Sequence, residues 1–456
     1  MGRLGSGTAK LRTLSILLSL LVPAHPTRSP DCGGILTPSG LSYLAEVSKA
    51  HAEAVLRQDL MAPTAPDLIL SSPKSSRNQI TSVKVAELSL SLIPDTGLRL
   101  NIDVDLGITP APSTTKVMRL SILADFHMEM NPEGNLELVT SACKPTVEEM
   151  QSTEETERST PRFSLLRDLG NRGKEETEAQ ICLEVSKLLL SPNEQLMSLT
   201  APFPVTPSCQ VQYVPLAAPM FSEQGITISL QTTFQVAGMA IPLPISPVPF
   251  SMPEPVSSSP SHLTLAFSEH FYTSLFFALE IAGAFNMTIP SPLTTTTVAQ
   301  KITQMGSLFQ EEQPVVLQAV FRSSPRVVLE EGKAALKLFL TVHIGTGAPA
   351  FQSFLSVNVD MSAGLVLSVA STKMMISAAL TTDSLRQADL LEELFLPPIR
   401  EAVPAQMNGV LSEGVFLPHI SSFTYTDVNI VIHKDYVLVP CNLELQAVAG
   451  EQSTVG

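Results

Sequence analysis

Eight histidines (His25, His51, His127, His262, His270, His343, His419, His433) are the first residues to test for chemistry. None falls in the H-E-x-x-H pair that sets two zinc ligands on one helix face, and no serine occupies the G-x-S-x-G turn that exposes a nucleophile. Gly345-Thr346-Gly347 lacks the third glycine and the strand-to-helix setting of a dinucleotide loop. The acidic run at Glu154, Glu155 and Glu157 lacks the regular oxygen spacing of a calcium loop and reads as solvated surface. These patterns lead us to expect no enzyme, no metal and no cofactor.

Cysteine chemistry is the better prospect. The five cysteines (Cys32, Cys143, Cys182, Cys209, Cys441) include no C-x-x-C, so neither a zinc nor a redox motif is indicated. Cys143 and Cys182 bracket Glu148 to Glu178, a stretch dense in Glu, Ser, Thr, Arg and Gly that reads as an excursion from an apolar body. A disulfide between them would close a loop worth at most ~4 kcal/mol through chain entropy. An odd number leaves one thiol over; Cys32, Cys209 and Cys441 receive no assignment. Asn286-Met287-Thr288 is the only N-x-Ser/Thr sequon and is expected to carry a glycan.

Composition narrows the class. The 456 residues carry 28 Lys and Arg against 43 Asp and Glu, a balance of −15, which is wrong for a partner of the phosphate backbone; no nucleic acid is expected. Hydrophobic residues make up 44% and mean hydropathy is +0.23, ample for a large core. Trp is absent and aromatics are 5%, so any binding surface should be aliphatic. Arg3, Lys10 and Arg12 precede the apolar run Leu14 to Val22, then Pro23-Ala24-His25-Pro26. This is the order of a secretory signal peptide, placed at 1–30, and the run is too short to span a bilayer, which takes about 20 apolar residues. No later segment reads as a transmembrane span, so secretion is expected.

The elements that must position any site follow from periodicity. Leu41 to Leu60 repeats apolar residues at helical spacing. Leu88, Leu90 and Leu92 alternate with polar residues, Pro94-Asp95-Thr96-Gly97 turns the chain, and Leu98 to Leu106 alternates again: an antiparallel hairpin with one buried face. Pro202 to Pro219 and Pro242 to Pro260 flank Gly225 to Val236, which alternates like a strand, so this part reads as a structured bridge. Beyond it, Ser268 can cap a helix ending near Gly283, with a shorter helical stretch around Val298, Ile302 and Met305. Strands follow at Leu336 to Ile344, Leu355 to Met361, Leu365 to Val369, Val428 to Ile432 and Val437 to Leu445. Leu385 to Leu411 is helical in pattern, broken by Pro397-Pro398 and Pro404. Helix then strands, twice, indicates a duplicated architecture. A helix laid across a curved sheet can leave an aliphatic slot, and Leu41, Leu44, Val55, Phe271, Leu275 and Leu279 are the residues placed to line one.

In combination, several segments resemble a known family: the Gly40-Leu41-x-Tyr43 helix start, Pro94-x-x-Gly97-Leu98, two cysteines about forty apart, a proline-rich bridge ending in Ser246 to Pro253, the helix beginning Ser268-Glu269-His270, and Gly414-Val415-x-Leu417-Pro418. Their order is similar to that of the lipid-binding proteins grouped with bactericidal/permeability-increasing protein, over essentially the whole chain after the leader. The resemblance implies an α+β fold, a boomerang of two elongated antiparallel barrels wrapped on long helices and joined by a central sheet. Its divisions would be 31–200 for an N-terminal lipid-binding barrel, 201–260 for the proline-rich central sheet or linker, and 261–456 for a C-terminal barrel. It also implies one apolar pocket per barrel holding phospholipid, a disulfide mapping onto Cys143 and Cys182, and a role in innate defence in egg fluids. Relatives that capture bacterial lipopolysaccharide carry a basic tip. Here the −15 balance argues against capture of anionic bacterial lipid, with Lys74, Arg77, Lys84 and Arg99 the obvious material for a local patch. The rival expectation is a structural or carrier glycoprotein without bound lipid.

Overall fold

The structure is a computed structural model that describes residues 29–61, 79–109, 116–150, 179, 181–183, 185–242, 248, 250–253, 261–302, 311–347, 350–380 and 390–446. The leader up to residue 28, Lys74, Arg77, Glu154, Glu155, Glu157 and most of the Glu148 to Glu178 excursion lie outside these residues, as do residues 385–389 and Met305.

Strand β1 (Cys32–Leu36) passes directly into helix α1 (Pro38–Leu60). Thr37 makes the junction: its hydroxyl accepts from the Gly40 N–H at 3.2 Å and donates to the Ser261 carbonyl at 2.7 Å, satisfying a helix-start donor that would otherwise lack a partner. A meander of β2 (Gln79–Ile93), β3 (Gly97–Thr109), β4 (Lys116–Met130) and β5 (Leu136–Met150) follows. Along β3 the period of two is clean. Leu98, Leu100, Ile102, Val104 and Leu106 are buried, while Arg99 and Asp105 point outward to pair with Asp125 and Arg119 on β4. Gly97 is required at the hairpin because a Cβ there would collide with the Phe126 carbonyl oxygen. Helical residues 181–183 and 185–188 lead into α2 (Leu190–Ser198), an element that the periodicity reading passed over. Ile181, Val185, Leu188 and Leu196 bury one side of this helical stretch.

The bridge supplies β6 (Phe203–Thr206), β7 (Cys209–Pro215), β8 (Met220–Ser222), β9 (Gly225–Val236) and β10 (Met239–Ala240). Then come β11 (Leu263–Ser268) and α3 (Glu269–Ile281), whose first turn is capped by Ser268 accepting from the Phe271 N–H and whose end is marked by Gly283 at φ +73°. The second half continues with β12 (Met287–Thr294), α4 (Thr295–Lys301), β13 (Pro314–Glu330), β14 (Lys333–Thr346), β15 (Gln352–Ala370) and β16 (Lys373–Leu380). It ends with α5 (Leu390–Leu411), β17 (Val415–Phe416), β18 (Phe423–Thr426), β19 (Val431–His433) and β20 (Tyr436–Leu445).

The described residues form three sheets: the four-stranded N-terminal meander, a six-stranded sheet β12-β13-β14-β15-β16-β17, and a central ten-stranded sheet with β18-β20-β11-β1-β9-β7-β6 as its spine. The fold is α+β, two curled antiparallel half-barrels closed over helices and joined by the central sheet. That sheet draws on residues 32–36, 263–268 and 423–445 as well as on the bridge. Besides α2, several elements differ from the periodicity reading: the strand expected at Val428 to Ile432 is confined to Val431–His433, the residues that find ladder partners on β20, and α4 stops at Lys301, just before Ile302. β15 runs unbroken through Ser362-Ala363-Gly364, because ladder partners on β14 and β16 hold these small residues in extended backbone. α5 runs through Pro397, Pro398 and Pro404, the lost backbone bonds being offset by burial of Phe395, Ile399, Val403, Met407 and Leu411.

Candidate functional site

An apolar cavity of about 320 Å³ lies where the N-terminal half-barrel meets the central sheet. α1 contributes Leu41, Leu44, Ser48, His51 and Ala52, a stripe at steps of three, four, three and one that keeps one face turned to the cavity. Leu88 and Leu90 of β2 and Leu98, Leu100 and Ile102 of β3 form a second wall. Leu188, Leu189, Leu196 and Leu199 in and around α2 form a third, and Ile226, Ile228 and Leu230 of β9 with Leu263 and Leu265 of β11 close the end toward the central sheet. The last contributors come from far along the chain: Pro418, His419, Ile420, Phe423, Tyr425 and Leu443.

Polar groups are few, and their placement is ordered. Ser48 and His51, one turn apart on α1, are the exposed members of the lining and mark the mouth; among the described residues neither side chain has a hydrogen-bond partner. The inner polar groups are already engaged. Tyr425 donates its hydroxyl to the Pro418 carbonyl, and Gln195 accepts from the Ser422 hydroxyl at 2.9 Å. His419 Nδ1 lies 2.8 Å from the Leu417 carbonyl, an acceptor only, so that nitrogen carries the proton. Burial lowers the His419 pKa from the usual imidazole range and raises that of Tyr425 well above the usual phenol range, so both present neutral surfaces to the cavity. Among the described residues no cluster of three or more His, Cys, Asp or Glu could hold a metal ion, and no helix is long and apolar enough to cross a membrane. What the arrangement can do is hold an aliphatic chain with a polar end at the mouth.

A family model described as the LBP / BPI / CETP family, C-terminal domain, matches residues 206–445, more than half of the chain. The chain belongs to the LBP/BPI/CETP family. Among its relatives is Protein TENP of Gallus gallus, 62% identical over 95% of this chain and 99% of that one. BPI fold-containing family B member 2 of Homo sapiens is 25% identical over 95% of this chain and 99% of its own length. The crystal structure of lipopolysaccharide binding protein has the same fold, with a TM-score of 0.58 at 15% identity, covering 92% of this chain and all of that one.

Of the six lining candidates chosen on periodicity, the structure brings Leu41 and Leu44 to this cavity. Val55 packs half-buried against the core of the N-terminal half-barrel. Phe271, Leu275 and Leu279 do not line the cavity: they are fully buried in the core of the C-terminal half, with the Phe271 ring 4.9 Å from Phe267 and 5.0 Å from Tyr272. The α2 wall and the C-terminal lining went unforeseen. The first carried a readable signal in Ile181, Val185, Leu188, Leu189, Leu196 and Leu199; the second depends on contacts between distant parts of the chain and carried none.

Cys143 and Cys182 are bonded, with Cα atoms 5.9 Å apart, tying β5 to the helical stretch before α2. Asn286 and Thr288 of the sequon are exposed, and Met287 between them is buried. Of the basic residues set aside as patch material, Arg99 is neutralised by both carboxylate oxygens of Asp125, at 2.8 and 3.0 Å, and Lys84 lies opposite Asp105 in the ladder.

Proposed function

We propose that this chain is a secreted, non-enzymatic lipid-binding protein that holds lipid acyl chains, those of phospholipid included, in the cavity between the N-terminal half-barrel and the central sheet. The observation that carries this reading is the lining: largely apolar walls, mostly aliphatic, contributed by the elements around the cavity, and exposed polar side chains at the mouth alone. Burying methylenes gains ~0.8 kcal/mol each, so an acyl chain has ample driving force to enter. The division into 31–200, 201–260 and 261–456 belongs to this reading, as do a glycan on Asn286 and a defensive role in egg fluids. Recognition of bacterial surface lipid by charge is disfavoured, given the −15 balance and the pairing of Arg99.

The deciding experiment is mass spectrometry of an organic-solvent extract of protein purified without detergent, with an unrelated secreted protein handled in parallel. About one lipid per chain is expected. A clean extract, from protein that also fails to take up a fluorescent fatty-acyl probe, would reject lipid binding and leave a structural or carrier glycoprotein in its place.

A further inference from the structure

Resting on the lipid-binding reading, we infer that the cavity takes single-tailed amphiphiles, such as a fatty acid or a lysophospholipid, in preference to two-tailed phospholipids, with the polar head at Ser48 and His51. Volume is the first argument. An apolar cavity of about 150 Å³ accepts benzene, with its six carbons, so on the same scale the present cavity accepts roughly a dozen. That matches the bulk of one acyl tail rather than two.

The walls are also fixed against widening. The helical stretch that leads into α2 is held to β5 by the Cys143–Cys182 bond, and α2 itself by Asn193, whose amide pairs with both the N–H and the C=O of Leu138 on β5, at 2.9 and 3.1 Å. At its far end, Gln195 and Ser198 accept from the Ser422 hydroxyl and the Ser421 N–H. On the opposite side, α1 is tied to β2 by Lys49 donating to the Ala86 carbonyl and Glu53 accepting from the Val85 N–H. A second tail would require one of these attachments to give. The mouth supplies the third argument: two polar side chains one helical turn apart suit one head group above one tail.

The test uses delipidated full-length protein carrying a fluorescent fatty-acyl probe. Competitors are saturated fatty acids of increasing length, lysophosphatidylcholine and dipalmitoyl phosphatidylcholine, the last two delivered from cyclodextrin. Single-tailed competitors should displace the probe at concentrations at least tenfold below the two-tailed one. Affinity should climb by about fourfold per methylene, the equivalent of ~0.8 kcal/mol, and level off near a dozen carbons. Ala52→Phe, which fills part of the cavity, should move that plateau to shorter chains. The wild-type plateau is informative even if this variant does not fold. Equal or stronger displacement by the two-tailed lipid, or a climb with no plateau, would overturn the inference while leaving lipid binding intact. Failure of wild-type protein to take up the probe at all would instead remove the lipid-binding reading, and this inference with it.

Discussion

At Cys32, Cys209 and Cys441 burial decides the chemistry. The three thiols sit on separate strands of the central sheet, β1, β7 and β20, unpaired and buried. Burial, reinforced by the neighbouring Asp31 carboxylate, raises the Cys32 pKa well above its usual value; burial alone pushes Cys209 up to about 11 and Cys441 up to about 12. Since the thiolate is the reactive form, all three should be inert near neutral pH. Ellman's reagent on native protein should therefore give almost no colour, and on urea-unfolded, unreduced protein three equivalents; rapid native reaction would contradict the burial. His419 makes a second case. Its folded pKa lies below the unfolded value near 6.5, so the unfolded chain binds the extra proton first as pH falls. The contribution of neutral His419 to stability is complete above about pH 6.5 and declines below it. Urea midpoints of wild type and His419→Gln should diverge with the wild type falling more steeply over that window; parallel curves would remove His419 as the cause.

The elements show the duplication that sequence letters hide. In the N-terminal half, Asn193 of α2 pairs its amide with both backbone groups of Leu138 on β5; in the C-terminal half, Asn408 of α5 does the same to Ala378 on β16, at 2.7 and 3.0 Å. β5 is an edge strand, and β16 is one at Ala378, beyond its short pairing with β17, so each asparagine satisfies edge groups that would otherwise invite another strand. Asn193→Ala and Asn408→Ala should each cost about 1–3 kcal/mol, the penalty of leaving part-buried backbone groups unpaired, as read from urea unfolding. A loss confined to one of the two would mean that the halves are not equivalent. The helix and hairpin at the start of the chain were legible because α1 and β3 each bury one regular face, and local spacing reports that directly. The Ser268 cap and the Gly283 stop were legible for the same reason. β1 was not: Cys32-Gly33-Gly34-Ile35-Leu36 has no alternation, and it is a strand because β9 and β11 flank it on both sides. Phe271, Leu275 and Leu279 share the periodicity of Leu41 and Leu44, and periodicity marks an inward face without saying whether that face meets other side chains or open space.

At the scale of the whole molecule, the cavity belongs to neither half. Its N-terminal walls are completed by residues 418–443, and this closure is bonded as well as packed. The Leu445 N–H donates to the Tyr43 hydroxyl of α1 at 3.0 Å. The Leu443 N–H donates to His262 Nδ1 at 3.1 Å, and the His262 ring stacks on Tyr43 at 4.7 Å between centroids. A ligand seated in the cavity beside these contacts must therefore stabilise the association of segments some 400 positions apart, the separation of Tyr43 and Leu445 being 402. Binding to the folded state alone raises stability by ~2.7 kcal/mol at a ligand concentration a hundredfold above Kd. That gain should be visible in every segment whose opening breaks the cavity. Hydrogen exchange with and without saturating fatty-acyl ligand should show added protection in residues 190–198 and 423–445 as well as in 38–60. Protection limited to 38–60 and the β2–β3 hairpin would mean that the C-terminal segment does not share in holding the ligand, and the cavity would then be a property of the first half-barrel alone.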